Sequence, residues 1–156
     1  MTTVKTPIFI DTNVLIRLYV ATAPQHADVR KAITQLILNN ALLWVSRQVL
    51  REYAAVFTRP QTYTLPVPTG AIATQIRMIE ARFQVADETA LVTDQLCSLL
   101  ETVALGGKQV HDANVVATMQ IYGITRLFTL NPIDFTRFSN VITVLTLEDV
   151  LKDSRE

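Results

Sequence analysis

Short apolar runs that do not alternate with polar residues mark the predicted strands of this chain. They lie at residues 8–10, 42–45, 127–130 and 141–145, and a further short edge strand is predicted near 83–85. Continuous apolar runs are typical of parallel strands whose two faces are both covered. The pattern therefore predicts a buried, mainly parallel sheet.

Between these runs the apolar spacing and the capping residues predict helices. The helices are expected at 13–20, 24–39, about 47–58, 69–82, 88–105, 109–122 and 147–153. Ser46 and Thr146 are suited to cap the third and last of them, and Gly123 to close the sixth. Residues 60–68 hold three prolines and predict a loop.

Strands that alternate with helices indicate an α/β fold. We expect a three-layer α/β/α sandwich with a mainly parallel sheet of four to five strands, built as a single domain over residues 1–156. In such folds ligands bind at the carboxyl ends of the strands. Polar residues that directly follow a strand are therefore the first candidates for function.

Composition narrows the class of protein. Apolar residues make up 49% and charged residues 18% of the 156 residues, with 14 basic and 14 acidic side chains. No apolar run is long enough to span a bilayer, and residues 1–5 do not resemble a signal peptide. A lone cysteine, Cys97, excludes an internal disulfide, so we expect a cytoplasmic protein. The balanced charge requires any nucleic-acid contact to come from a local patch.

Asp11 and Glu52 follow the first two predicted strands. Asp11 stands at the carboxyl end of its strand, where sites form, but Asp is also a common helix cap. Asn13 could also cap the helix that follows, in place of Asp11. Glu52 falls at the border of its helix's apolar face, beside Val56, where a solvated Glu is the ordinary case. Each residue alone leaves a structural role open.

Asp112 gives the sharpest single signal. It lies in the first turn of the helix predicted at 109–122, in the middle of the apolar stripe formed by Val115, Val116 and Met119. The helix dipole favours an acid in that turn. An acid that points inward also needs a cation or a hydrogen-bond donor, so the pattern favours a functional role.

Asn131 and Asp134 are predicted in the loop after the strand at 127–130. Asn-Pro and Asp are frequent turn formers, so a turn explains both residues if they are taken alone.

Taken together, the four acids indicate a cation-binding site, which no single one of them does. Carboxylates that converge at one edge of a sheet repel one another unless a cation lies between them, and hard divalent cations prefer such oxygens. A Mg²⁺ or Mn²⁺ ion at that point can assist phosphodiester hydrolysis. We expect Asp11 and Asp112 to bind the ion directly, Glu52 to bind it or orient water, and Asp134 to take an outer or second-metal role.

Four segments resemble the PIN-domain nucleases, especially the VapC-like toxin ribonucleases. They are residues 10–15 (IDTNVL), 46–53 (SRQVLREY), 111–117 (HDANVVA) and 127–135 (LFTLNPIDF). They follow the family's order and reach from near the start of the chain to Phe135. Each segment is short, and the specificity lies in their combination.

The resemblance implies a PIN-like fold and Mg²⁺- or Mn²⁺-dependent endonucleolytic cutting of RNA. It also implies two partners, a small antitoxin and a second copy of the chain in a homodimer. It assigns the acidic site to Asp11, Glu52 and Asp112. Many relatives carry an Asp where Asn131 stands, and others use the acid of an Asp-Phe pair such as Asp134 and Phe135, so the fourth position stays open between Asn131 and Asp134. Auxiliary contacts from the Thr12 and Ser46 hydroxyls are further expectations.

Other chemistries fit less well. His26, His111 and Cys97 are too scattered for a zinc site, and Gly106-Gly107-Lys108 lacks the remaining residues of a P-loop, so a turn is expected there. An aspartyl phosphotransferase of the haloacid dehalogenase type would have Asp where Asn13 stands. The alternative from another class is a catalytically inactive PIN-fold module that binds RNA or protein.

Three arginines lie near the candidate acids in the sequence. Arg17, Arg47 and Arg51 are possible contacts for RNA phosphates, although solvated helix faces are the default for all three.

Overall fold

Strands of one parallel sheet form the centre of the molecule. The computed structural model describes residues 3–60 and 67–153. The strands within these residues are β1 (Thr6–Ile10), β2 (Ala41–Ser46), β3 (Gln84–Ala86), β4 (Arg126–Phe128) and β5 (Thr143–Leu145). Their order in the sheet is β3-β2-β1-β4-β5, and every neighbouring pair is parallel. The sheet therefore has one carboxyl edge, at which all strands end.

Helices connect the strands and cover the sheet. They are α1 (Thr12–Tyr19), α2 (His26–Leu38), α3 (Arg47–Phe57), α4 (Thr69–Arg82), α5 (Ala90–Thr102), α6 (Gln109–Ile121) and α7 (Leu147–Asp153), with a 3₁₀ helix at Pro132–Phe138. Parallel strands need right-handed crossovers, which place helices on both faces of a sheet whose order reverses at β1. Phe9, Val45 and Leu127 are accordingly fully buried. The predicted three-layer α/β/α fold is confirmed.

No helix within the described ranges combines the length and apolarity needed to cross a membrane.

Three helix ends follow the predicted capping chemistry. The Ser46 hydroxyl accepts a hydrogen bond from the Val49 N–H at 3.3 Å, at the start of α3. Thr146 and Asp149 exchange reciprocal bonds at the start of α7. Gly123 ends α6 with φ of 70°, and the next N–H, from Ile124, bonds to the carbonyl three residues inside the helix, that of Met119. Glycine adopts this left-handed geometry at little cost, which explains the residue at this helix end.

Several predicted boundaries were too long. The helix predicted at 24–39 begins only at His26, because Gln25 has φ of 66° and cannot belong to a right-handed helix. The helix predicted at 88–105 spans Ala90–Thr102, since Val103 is extended. The strands at 127–130 and 141–145 keep sheet pairing only over β4 and β5.

The loop predicted after this strand is correct for Asn131 but wrong for Asp134, because Pro132–Phe138 forms a 3₁₀ helix. Proline suits its first position, and Phe135 and Phe138, which lie one 3₁₀ turn apart, are both buried. This pair fixes the orientation of the helix. Most of the loop predicted at 60–68 lies outside the described residues.

Candidate active site

Asp11 joins the end of β1 to the start of α1. It caps α1: its Oδ1 accepts a hydrogen bond from the Thr12 N–H at 2.8 Å. Its Oδ2 accepts one from the Thr129 hydroxyl at 2.8 Å, and Thr129 directly follows β4. Asn13 is therefore not the cap; its side chain accepts a hydrogen bond from the Leu130 N–H. The carboxyl ends of two neighbouring strands thus hold Asp11 in place.

Glu52 reaches the same edge from the second turn of α3. Its Oε2 accepts a hydrogen bond from the Thr12 hydroxyl at 2.9 Å, and its Oε1 accepts one from the Gln48 amide at 2.7 Å. Thr12 thus connects two acids, since its N–H binds Asp11 and its hydroxyl binds Glu52. These contacts hold the two carboxylates beside each other, although 40 residues separate Thr12 from Glu52 in the chain.

The other two acids approach from the opposite side of the cleft. Asp112 lies in the first turn of α6 and is partly buried, while Asp134 lies in the first turn of the 3₁₀ helix and is exposed. The packing of α6 against the 3₁₀ helix brings them near each other. All four candidate acids therefore line a single cleft of about 470 Å³.

The pKa values show that these acids interact. Burial raises the pKa of Asp11 from 3.8 to about 6; the hydrogen bonds from Thr129 and Thr12 oppose this effect, while the charges of Glu52 and Asp134 add to it. Burial is the larger cause, and the smaller effects of Glu52 and Asp134 show that these acids lie close enough to Asp11 to repel its charge.

Asp112 experiences the same charge more strongly. Its pKa is raised from 3.8 to about 7, first by burial and then by the charges of Asp134, Asp11 and Glu52, while Arg137 acts in the opposite direction. A cation placed among these groups would remove this unfavourable repulsion.

The lining of the cleft fits a hard divalent cation. Its four acids stand against two basic side chains, Arg59 and Lys108, which leaves a formal charge of −2 when all of them are ionised. The polar groups are oxygen-rich, with Thr12, Asn13 and Asn131 beside the acids, and oxygen ligands suit Mg²⁺ and Mn²⁺. One such ion would neutralise the cleft.

The side chains are not arranged as a closed cage. Among the residues that the structure describes, no three His, Cys, Asp or Glu side chains stand close enough together to enclose an ion. A hydrated Mg²⁺ ion does not require such a cage, since it keeps several waters and takes one or two carboxylates directly.

The auxiliary residues divide into two groups. Thr12 and Asn131 line the cleft, and Thr12 also contacts two of the acids. Ser46 is fully buried, caps α3 and is not among the residues that line the cleft.

Four polar residues of the site were missed from the sequence. Thr129 holds Asp11, Gln48 holds Glu52, and Arg59 and Lys108 line the cleft. The position of Gln48 four residues before Glu52, on the same helix face, was the available signal. Thr129 gave no such signal, because it fell inside the strand predicted at 127–130, and only the shorter observed strand places it at the carboxyl end.

Two of the candidate RNA-binding arginines are engaged elsewhere. Arg47 pairs with Glu80 at 2.7 Å and with Asp87 at 3.0 Å, and Arg51 pairs with Glu88 at 3.2 Å. The basic side chains at the cleft are instead Arg59 and Lys108.

Several solved structures share this fold with the chain. VapC20 of Mycobacterium tuberculosis, a toxin that cleaves the sarcin-ricin loop, is 21% identical; the match covers 77% of this chain and 86% of that one, with a TM-score of 0.58. VapBC-1 of nontypeable Haemophilus influenzae is 16% identical over 92% and 99%, with a TM-score of 0.64. A toxin–antitoxin complex of Klebsiella pneumoniae is 18% identical over 90% and 97%, with a TM-score of 0.62. Because these sequence identities are low, the similarity shows a shared fold only.

No curated protein sequence matches the chain. The family model of the PIN domain, in contrast, matches residues 8–141, which include all four acids of the cleft. The chain belongs to the PIN domain family.

Proposed function

We propose that this protein is a Mg²⁺- or Mn²⁺-dependent endoribonuclease that hydrolyses RNA phosphodiester bonds in the cleft lined by Asp11, Glu52, Asp112 and Asp134. The observation that carries the proposal is the convergence of these four acids, from distant parts of the chain, on one cleft, where their mutual repulsion adds to the effect of burial on the pKa of Asp11 and Asp112. A protein gains nothing in stability from such repulsion, so a ligand that relieves it is the simplest reason for the arrangement.

Each residue has a distinct part in this mechanism. Asp11 and Asp112 would bind the ion directly, because they are the two acids whose ionised forms are most disfavoured without it. Glu52, held by Thr12 and Gln48, has a fixed orientation suited to bind the same ion or to orient an attacking water beside it. Asp134, which is exposed, would act from the rim of the cleft.

The ion, when bound, supplies positive charge that stabilises the transition state at phosphorus and favours a nucleophilic water. Lys108 and Arg59 line the same cleft and would bind substrate phosphates beside the acids. Their contribution matters because the protein as a whole carries no net charge to attract a polyanion.

RNA as the substrate and a toxin role in the cytoplasm belong to the same proposal. Their support is that VapC20 is a toxin that cleaves the sarcin-ricin loop and that toxin–antitoxin complexes are among the similar structures. The expected partners are a small antitoxin and a second copy of the chain in a homodimer. Growth arrest on expression, relieved by Asp112→Asn, would support the toxin role, and harmless expression of an active enzyme would contradict it.

The activity test compares two aspartate variants. Purified protein is incubated with single-stranded RNA in Mg²⁺, in Mn²⁺ and in EDTA. The controls are Asp112→Asn, in the cleft, and Asp94→Asn, on the exposed surface of α5 and outside the cleft. We expect cutting only with the ions, a loss of roughly 100-fold or more in Asp112→Asn, and none in Asp94→Asn. Equal cutting by wild type and Asp112→Asn, or cutting that persists in EDTA, would contradict the proposal.

A further inference from the structure

One buried amide connects the two walls of the cleft. Gln48, the second residue of α3, is only 4% exposed, and every polar atom of its side chain is used. Its Nε2 donates to Glu52 Oε1 at 2.7 Å and to the backbone carbonyl of His111 at 2.9 Å. Its Oε1 accepts a hydrogen bond from Asn114 Nδ2 at 2.7 Å.

The two acceptors of the Gln48 amide belong to different helices. Glu52 lies on α3, and His111 is the residue directly before Asp112 on α6. A planar amide has two N–H donors at a fixed angle, so binding both acceptors fixes the distance between them. The Gln48 side chain therefore relates the carboxylate of Glu52 to the backbone that carries Asp112.

Packing alone does not account for a glutamine here. Its neighbours Val49 and Leu50 are buried apolar residues, and a buried amide costs free energy unless all its hydrogen bonds are made. Asn114 makes the last of these bonds and also donates to Glu88, which pairs with Arg51 on α3. These contacts therefore begin and end on α3, at Gln48 and Arg51.

We infer that Gln48 is a positioning residue that sets the separation of Glu52 and Asp112 so that both can serve one divalent cation. The inference rests on the proposed function. Mg²⁺ tolerates little departure from its preferred geometry, so groups that orient its ligands contribute to affinity without touching the ion. Thr12 holds the other oxygen of Glu52, so Thr12 and Gln48 together fix the orientation of this carboxylate.

The test uses Gln48→Met, which keeps the length and unbranched shape of the side chain but removes the amide. Gln95→Met is the matched control, because Gln95 on α5 donates to Gln120 Oε1 on α6 at 2.8 Å, and neither residue lines the cleft. Gln95→Met loses one hydrogen bond between helices, and Gln48→Met loses two, those with His111 and Asn114. Mn²⁺ binding is measured by calorimetry without RNA, and the Mn²⁺ concentration for half-maximal RNA cutting is measured separately.

We expect Gln48→Met to weaken Mn²⁺ binding by roughly 10- to 100-fold and to raise the half-maximal concentration by the same factor. Gln95→Met should lower the melting temperature to a similar extent and leave Mn²⁺ binding unchanged. Asn114→Ala, which leaves the Gln48 amide in place, should weaken binding in the same direction but less. In the double variant with Gln48→Met it should add nothing, since Asn114 acts through Gln48.

Equal Mn²⁺ affinity in wild type, Gln48→Met and Gln95→Met would overturn the inference while the proposed function stands. If Gln48→Met fails to fold, Asn114→Ala decides, and wild-type affinity in that variant overturns the inference. A wild type that neither binds Mn²⁺ nor cuts RNA would overturn both proposals.

Discussion

Removing one negative charge from the cleft should stabilise the metal-free protein. The pKa of Asp112 rises from 3.8 to about 7 on folding, about three pH units, and each unit is worth about 1.4 kcal/mol. The upper limit is therefore about 4 kcal/mol of lost stability once the group is ionised. Since Asp112 is only partly buried and titrates together with its neighbours, we expect on the order of 1–3 kcal/mol from Asp112→Asn.

The sign of the pH dependence follows from the raised pKa. Below about pH 4 Asp112 is protonated in both the folded and the unfolded chain, and no stability is lost. As the pH rises from about 4 to about 7, the unfolded chain releases the proton first, and the folded protein becomes less stable. The advantage of Asp112→Asn should therefore be small at low pH and complete above pH 7.

Urea unfolding in EDTA at about pH 4.5 and pH 8 measures this difference, with Asp94→Asn as the control. For a chain of this size, the expected gain at pH 8 corresponds to a rise in melting temperature of roughly 3–10 °C. Added Mn²⁺ should stabilise the wild type and not the variant, because binding to the folded state alone shifts the equilibrium. A variant that is equally stable or less stable than wild type at pH 8, with no dependence on pH, would refute the reasoning.

Three further substitutions test individual contacts. Thr129→Val keeps the shape of the side chain but removes the hydroxyl that donates to Asp11, and RNA cutting at low Mn²⁺ should fall by roughly 10-fold and recover at high Mn²⁺; an unchanged Mn²⁺ dependence would contradict this. Ser46→Ala should lower the free energy of unfolding by about 1 kcal/mol without changing Mn²⁺ affinity, because Ser46 only caps α3; a change in affinity would give Ser46 a role in the site. Gly123→Ala should cost about 1 kcal/mol in urea unfolding, since residue 123 has φ of 70°; a stable variant would show that the turn can rearrange.

The layered fold could be predicted because its signals are local. Continuous apolar runs identified the strands, and capping residues such as Ser46 and Gly123 identified helix ends. The 3₁₀ helix at Pro132–Phe138 could not be predicted in the same way. Its start looks like a turn, and its stability comes from burial of Phe135 and Phe138 against elements distant in the chain.

The acids could be predicted, but the groups that orient them could not. Asp11 and Asp112 stand out in the sequence because a carboxylate at a strand end or on an apolar stripe needs an explanation. Gln48 and Thr129 do not stand out in the sequence, since an amide or a hydroxyl in the same position can form many common hydrogen bonds. Gln48 binds His111, 63 residues away in the chain, and Thr129 binds Asp11, 118 residues away. Only folding brings these partners together.

The turn at Gly106-Gly107 separates the acids two and two. The part of the chain before it carries Asp11 and Glu52, and the part after it carries Asp112 and Asp134, together with the strand that lies beside β1. A protease cut at this turn would yield halves that each lack one wall of the cleft. Nuclease activity would then report whether the halves have reassembled, which makes the turn a natural point at which to divide this protein into a two-part reporter.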